Sequence, residues 1–446
     1  MKKKTKTAVV VLVLLFASAG FPSRNPDENK FVQLVKELAI PLVSVDPLTA
    51  AEDLDTLKDV IGNSPIVCLG ESQHLMREQY QLKHRIIKFL VEEMDFTHIA
   101  IEDSFYGTIA IDDYIKGAVI SPEEALKETG GWYLWDTEEM LSFVQWLRSH
   151  NDKAEDEQKV SYVGLDIQDP WPGIKYITQY FIKVDPEYAG QLENHKQVFE
   201  VFNKSIWFQI RGSYPKLTPV QKQEIEDTLK EIGGKLEIHK EDYIKTAGEK
   251  EFRDAVLVVR HLLKSHACFL ELEDAEFGDV GIREKTMFAN IVRIRESSGP
   301  QTKIIVWVHN AHAAKSPVVF LNSRQPESPK LELLGTMLKQ KYGSDVKSIG
   351  MASLGVKKAG AEFQENIDVL DHVLSNAGLD LFFLDFDKLT SRDGGKDLQV
   401  PWKLTADMGG FLSLVPSEAY DGLFFIRHTT GVRPSKISAE RYKKLF

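Results

Sequence analysis

Cysteine is almost missing from this chain of 446 residues: only Cys68 and Cys268 occur. Cys68 falls in a short apolar run and Cys268 in a helical one, so two inert packing thiols are expected rather than a disulfide. Far apart in the sequence, neither supports a zinc-finger scaffold. Basic stripes are missing as well. The formal net charge is −11, and no Lys/Arg band follows the first residues, which removes the electrostatic footprint of a nucleic-acid binder. No G-x-S-x-G elbow, H-E-x-x-H, P-loop or strand-linked G-x-G-x-x-G is present, and neither cysteine stands beside a base. An activated serine or cysteine, a zincin centre and a dinucleotide fold are thereby set aside. The chain has no internal repeat and no low-complexity block.

The most apolar run stands at the start. Lys2, Lys3, Lys4 and Lys6 precede Ala8 to Phe16, and Ala17-Ser18-Ala19 follows. A charged n-region, a short h-region and an A-x-A site are the layout of a secretory signal peptide, here residues 1–19. The run is too short to span a bilayer, and no cysteine follows it to carry a lipid. An exported protein, periplasmic or extracellular, with no membrane association after cleavage is expected. Loss of the four leader lysines takes the formal charge from −11 to −15, an acidic, solubilising surface. Residues 20–30, polar and interrupted by Pro22 and Pro26, read as a linker, and the folded domain is expected over 31–446.

What the chain does contain is a repeated pattern of apolar runs that end in ionisable side chains. Pro65-Ile66-Val67-Cys68-Leu69 leads into Gly70-Glu71-Ser72-Gln73-His74. A helix-spaced row follows: Met76, Tyr80, Lys83, Ile87, Leu90 and Met94. Phe96 to Ile101 ends at Glu102, Val160 to Leu165 at Asp166, and Lys303 to Val308 at His309-Asn310-Ala311-His312. Ser348 to Met351, Leu381 to Phe386 and Leu423 to Ile426 are further expected strands. Helical segments between most of them predict an α/β fold, a largely parallel central sheet flanked by helices. In such a sheet the carboxyl ends share one edge, and ligands bind there. From about residue 186 to 298 only helical patterns occur: Asn194 to Ile210, Thr218 to Thr246 with a break at Gly233-Gly234, and Phe252 to Glu273. A helical insertion over one side of the sheet is expected, with Trp207 and Phe208 as exposed aromatics in a pocket wall.

Singly, each strand end has a bland account: a polar turn, a carboxylate in a helix's first turn, or a satisfied buried histidine. Jointly, Glu71, His74, Glu102, Asp166, His309 and His312 on one sheet edge point to an active site. Lys83 lies on the inward face of its helix, either snorkelling or paired with Glu71 or Glu102. Two chemistries fit. A neutral histidine can take a proton from water as it attacks a carbonyl, while a carboxylate fixes the tautomer and other cations steady the oxyanion. Alternatively Glu71, His74, His309 and His312 ligate a metal such as zinc. The residues leave both open.

Several stretches in order resemble the erythromycin esterase family. They are Gly70 to His74 with Leu82-Lys83-His84-Arg85, Ala100-Ile101-Glu102, and Trp135-x-Thr137-Glu138-Glu139 with Trp146-Leu147-Arg148. Gly164-Leu165-Asp166-Ile167-Gln168 and, most specific, Val306-Trp307-Val308-His309-Asn310-Ala311-His312 complete the set. The resemblance covers nearly the whole chain after the leader. It implies an α/β core with a helical subdomain and a carboxylic ester hydrolase acting on a small-molecule ester or lactone, macrolides among them. It implies His74 as general base on water, Glu71 as the motif glutamate, Glu102 as the second-strand glutamate, and His309 with His312 as a late pair. Lys83 stands where the family carries a basic residue, often Arg. It implies no cofactor and no covalent intermediate. Two departures stand out: Leu75 and Met76 replace a Gly and a small polar residue, and Lys83 lacks Arg's planar fork. An exported location also departs from a cytosolic drug-inactivating enzyme. The rival expectations are a metal-dependent hydrolase on the same cluster and a non-catalytic envelope protein for a haem-like ligand, the latter by fold analogy alone.

Overall fold

Runs rich in Val, Ile and aromatic residues become strands when both their faces can be buried. In this computed structural model they are β1 (Ile40–Pro41), β2 (Ile66–Leu69), β3 (His98–Ser104), β4 (Ser161–Asp166), β5 (Ile304–Trp307), β6 (Val319–Leu321), β7 (Val346–Ser353), β8 (Leu381–Asp385), β9 (Trp402–Thr405), β10 (Phe411–Leu414) and β11 (Gly422–Ile426). The structure describes residues 28–129, 131–194, 196–204, 207–271, 280–321, 329–355, 369–407 and 410–445. The expected signal peptide, residues 1–19, lies outside them, as does most of the expected linker. Its last residues belong to the helix Glu28–Leu38.

The main sheet has the order β1-β8-β11-β7-β2-β5-β3-β4. From β11 through β4 neighbouring strands are parallel, and only β8 runs against its neighbours. The largely parallel α/β sheet is therefore present. Register decides the site: Leu69 and Ile101 both pair with Trp307, so β2 and β5 finish level with Ile101 of β3, where its pairing with β5 ends. Alternation along these strands sends Ile66, Cys68, Ile304 and Val306 into one core layer. Val67, Leu69, Ile305 and Trp307 enter the opposite one. Burial pushes the Cys68 thiol up to about 12, so it stays protonated and inert.

Local sequence choices hold these ends in place. A side chain at Gly70 would meet Asn310 Oδ1 at 2.2 Å. Asn310 needs that space because its amide is paired with the backbone of Met351, donating at 2.6 Å and accepting at 3.1 Å. The helix Arg77–Met94 ends at Asp95 in the left-handed region, its N–H closing on Leu90 O. Thr137 caps the helix Glu138–Asn151 by accepting the N–H of Met140. The outer strand β4 keeps its free donors satisfied through the helix Phe105–Ile115: Thr108 accepts the N–H of Gly164 and Asp112 that of Tyr162.

Between β4 and β5 the helices Trp171–Val184, Pro186–Asn194, Trp207–Ser213, Pro219–Ile238, Lys240–Ala247 and Glu249–Glu271 pack around a core of their own. Three expectations need correction here. Asn194 to Ile210 is not one helix; a 3-10 segment, Lys196–Phe202, precedes Trp207–Ser213. The helix Pro219–Ile238 runs through Gly233-Gly234 and breaks at His239 instead. Its buried row Ile225, Leu229, Ile232 and Leu236 continues across the glycines, and that burial outweighs about 1 kcal/mol per glycine. Trp207 is only 7% exposed and belongs to the core, whereas Phe208 is 50% exposed. No described helix is long and apolar enough to cross a membrane.

Candidate active site

The ends of β2 and β5, level with Ile101 of β3, bring Glu71, His74, Glu102, His309 and His312 together, and the helix Arg77–Met94 adds Lys83. Glu71 is fully buried and every contact on it is a donor. His74 Nδ1 lies 2.5 Å from its Oε1, and Lys83 Nζ and Trp307 Nε1 donate to Oε2 at 2.8 and 2.9 Å. Burial opposes the charge of Glu71, but Lys83 and His74 hold its carboxyl below the usual range. Lys83 has no exposed surface and also donates to Val308 O at 3.0 Å. Burial draws it down to about 8 while Glu71 keeps it charged at neutral pH. It is a charge partner for Glu71 rather than a snorkelling chain, and it anchors Glu71 from behind.

With Nδ1 committed to Glu71, Nε2 is the nitrogen of His74 left for chemistry. It lies 4.0 Å from Glu102 Oε1 and 3.6 Å from Asp407 Oδ2. Burial disfavours the imidazolium, yet Asp407, Glu71 and Glu102 outweigh it and push His74 up to about 9. The ring also faces His309 and the edge of Trp135, with centroids 5.4 and 6.4 Å away.

Glu102 collects cations. Arg283 Nη2 donates to its Oε1 at 2.7 Å, His312 Nε2 lies 3.2 Å from the same oxygen, and the His309 N–H donates to Oε2 at 2.7 Å. Burial works against this charge, but His312, Arg283 and His74 hold the carboxyl well below its ordinary range. Arg283 also forks onto Asp166, Nε to Oδ1 at 3.0 Å and Nη2 to Oδ2 at 2.7 Å. His312 sits between Glu102 and Glu284, whose Oε1 is 2.8 Å from Nδ1. Burial is outweighed there too, and the two carboxylates push His312 up to about 10, so it is an imidazolium at neutral pH. His312 Nε2 also lies 3.3 Å from Arg283 Nη1; with His312 charged, the two share Glu102 rather than bond each other.

His309 is different. Its Nδ1 accepts the N–H of Ala311 at 3.2 Å, so Nε2 carries the proton and donates to Ser72 O at 3.0 Å. Burial, reinforced by the neighbouring His74, keeps its proton affinity low despite Asp407, and the ring is neutral. These commitments test the expected metal set. A metal ligand needs a free lone pair. His309 spends its own on Ala311, His312 lies between the carboxylates of Glu102 and Glu284, Glu71 already accepts from three donors, and His74 offers Nε2 alone. Among the described residues no cluster of three or more His, Cys, Asp or Glu could hold a metal ion.

Three participants escaped the sequence reading. Arg283 and Glu284 open the helix Val280–Ser298, in one stripe with Met287, Ile291 and Ile294; charged residues in an apolar stripe were the available signal. Asp407 lies between the alternating strands β9 and β10, at Asp407-Met408-Gly409-Gly410, a composition that marks a hairpin turn. The departure at Leu75 also has a structural consequence. Leu75 adopts φ 64°, the left-handed region that favours glycine, so the turn carrying His74 is under local strain.

Comparison with known proteins identifies the family and the fold. The family described as erythromycin esterase matches residues 91–429. Erythromycin esterase type II of Escherichia coli is 24% identical over 435 residues, covering 90% of this chain and 98% of that protein. A solved Bacillus cereus protein superposes with a TM-score of 0.72 at 24% identity, over 93% of this chain and 100% of that one. An erythromycin esterase mutant solved in its open conformation superposes with a TM-score of 0.64 at 15% identity, over 87% and 96%. These likenesses show a shared fold.

Proposed function

Because the chain belongs to the erythromycin esterase family, and is on that ground a hydrolase, we propose that it cleaves a carboxylic ester or lactone with water activated by His74. The observation that carries this reading is the Lys83–Glu71–His74 chain: a buried ion pair fixes the carboxylate that holds Nδ1, leaving Nε2 toward the site. In the forward step the water oxygen attacks the acyl carbon and its proton passes to His74 Nε2. The carbonyl electron pair moves onto oxygen, where the cationic His312 and Arg283 offer electrostatic support. Collapse expels the alkoxide, which takes the proton back from His74, giving an acid and an alcohol with no bond to the protein. Glu71 and Lys83 position the base, and His309 bonds to the turn that carries it.

The test is a panel of aryl esters and lactones, with products read by mass spectrometry. Expected are paired acid and alcohol products and turnover that a chelator leaves unchanged. Only unprotonated His74 accepts a proton, so kcat/KM should climb from pH 6 toward the group's value of about 9 rather than levelling near pH 7. Absence of turnover, or turnover lost to a chelator and restored by zinc, would overturn the reading.

Export is part of the same proposal, supported by the lysine-rich start and Ala17-Ser18-Ala19. N-terminal sequencing of the secreted protein should begin close to Gly20; an intact Met1 in the membrane fraction would count against it.

A further inference from the structure

The turn that carries His74 is gripped by a second, three-stranded sheet of order β6-β10-β9. The connection between β9 and β10 delivers Asp407 to it. Asp407 Oδ1 accepts the backbone N–H of His74 at 2.8 Å, and the Gln73 side chain donates to Ala406 O at 3.3 Å. The root of this connection is fixed by Asp371, fully buried, which accepts the N–H of Thr405 at 2.8 Å and of Ser353 at 3.0 Å. The second oxygen of Asp407 stands between two rings, 3.6 Å from His74 Nε2 and 3.7 Å from His309 Nε2. Those distances are too long for hydrogen bonds, so its influence there is that of a charge.

We propose that Asp407 is a positioning residue of the hydrolytic site, which ties down the turn with one oxygen and with the other sets the proton affinity of His74 Nε2. This extends the reading of His74 as the base and rests on it. The groups facing His74 single Asp407 out. From its own turn comes Glu71, already paired with Lys83 of the helix Arg77–Met94. From the end of β3 comes Glu102, already held by Arg283 of the helix Val280–Ser298 and by His312. His309, after β5, is neutral. Among the described residues no Lys or Arg pairs with Asp407; its ion-pair contacts are the two histidines. A carboxylate whose charge is otherwise offset changes a neighbour little, whereas an uncompensated one at this range changes it strongly. The direction found for His74, with Asp407 the leading charge that raises it, agrees.

Asp407→Asn keeps the shape and the acceptor for the His74 N–H but removes the charge; Asp407→Ala removes both. Two readouts are compared with wild type: the pH profile of kcat/KM for an aryl ester, and the pH titration of the His74 ring followed by NMR, which needs no turnover. With Asn, the His74 titration and the acid limb should both move down by about one pH unit or more. The profiles should cross: the variant is faster than wild type at pH 6, and slower at high pH because a less basic imidazole is a weaker proton acceptor. Ala should add a rise in KM from the loosened turn. A purely structural role would give a profile parallel to wild type and lower at every pH. That result, or an unshifted His74 titration in Asp407→Asn, overturns the proposal. If wild type hydrolyses no ester, the functional reading fails, and the titration alone still decides whether Asp407 sets His74.

Discussion

An Arg283→Met variant is expected to lose about 3–5 kcal/mol of stability, the usual cost of removing one partner from a buried ion pair. Arg283 is nine-tenths buried and holds two carboxylates that are buried more deeply still, Glu102 and Asp166. Methionine preserves the apolar stem but leaves Asp166 without its fork and Glu102 with only the histidines His312 and His74 as ionic partners. The network would not have to cost anything if every member were replaced by apolar groups; the penalty comes from removing the cation and leaving the anions. Arg283→Lys should recover part of the loss, since a point charge remains but the bidentate geometry does not. Urea unfolding followed by tryptophan fluorescence is the suitable readout. In a chain this long, at roughly 2 cal/mol/K of unfolding entropy per residue, each kcal/mol moves Tm by only about 1 °C. A variant within about 0.5 kcal/mol of wild type, the usual range of a harmless surface change, would show that Arg283 is not the keystone of this edge.

The parts of the site closest to the strands were the most legible in the sequence. Glu71, Glu102, His309 and His312 follow directly on apolar runs, and a parallel sheet gathers its strand ends without help from individual loops. Lys83 could be placed on an inward face, yet periodicity alone could not decide between a snorkelling chain and a buried partner of Glu71. That depended on Trp307 and Val308, more than two hundred residues away. Arg283 and Glu284 were hidden in a helical stretch that carries further charges, Lys285, Arg293, Arg295 and Glu296. Asp407 was hidden by distance, reaching His74 across 333 positions from a different sheet. Gly233-Gly234 misled for a related reason: local propensity marks a break, and the buried row on the neighbouring turns overrides it. Pattern reads what one element does alone, and much of this site is made by what a second element brings to it.

The second large effect is on rate. His74→Ala should lower kcat by about two to four orders of magnitude, the contribution of a general base in the transition state. The fold should be spared. The imidazole side chain is 21% exposed and sits on a turn, so truncation leaves no sealed core cavity. Glu71 keeps Lys83 and Trp307 on its Oε2, and the backbone N–H of residue 74 keeps Asp407. His309→Ala should do less, because His309 bonds the Ser72 carbonyl of the turn rather than taking the proton.

If His74 takes the proton from attacking water, kcat of His74→Ala with a saturating aryl ester at pH 9 is the quantity that must change. It should fall by at least about a hundredfold with the urea midpoint unchanged. Turnover within about threefold of wild type, well short of a general base's contribution, would contradict it.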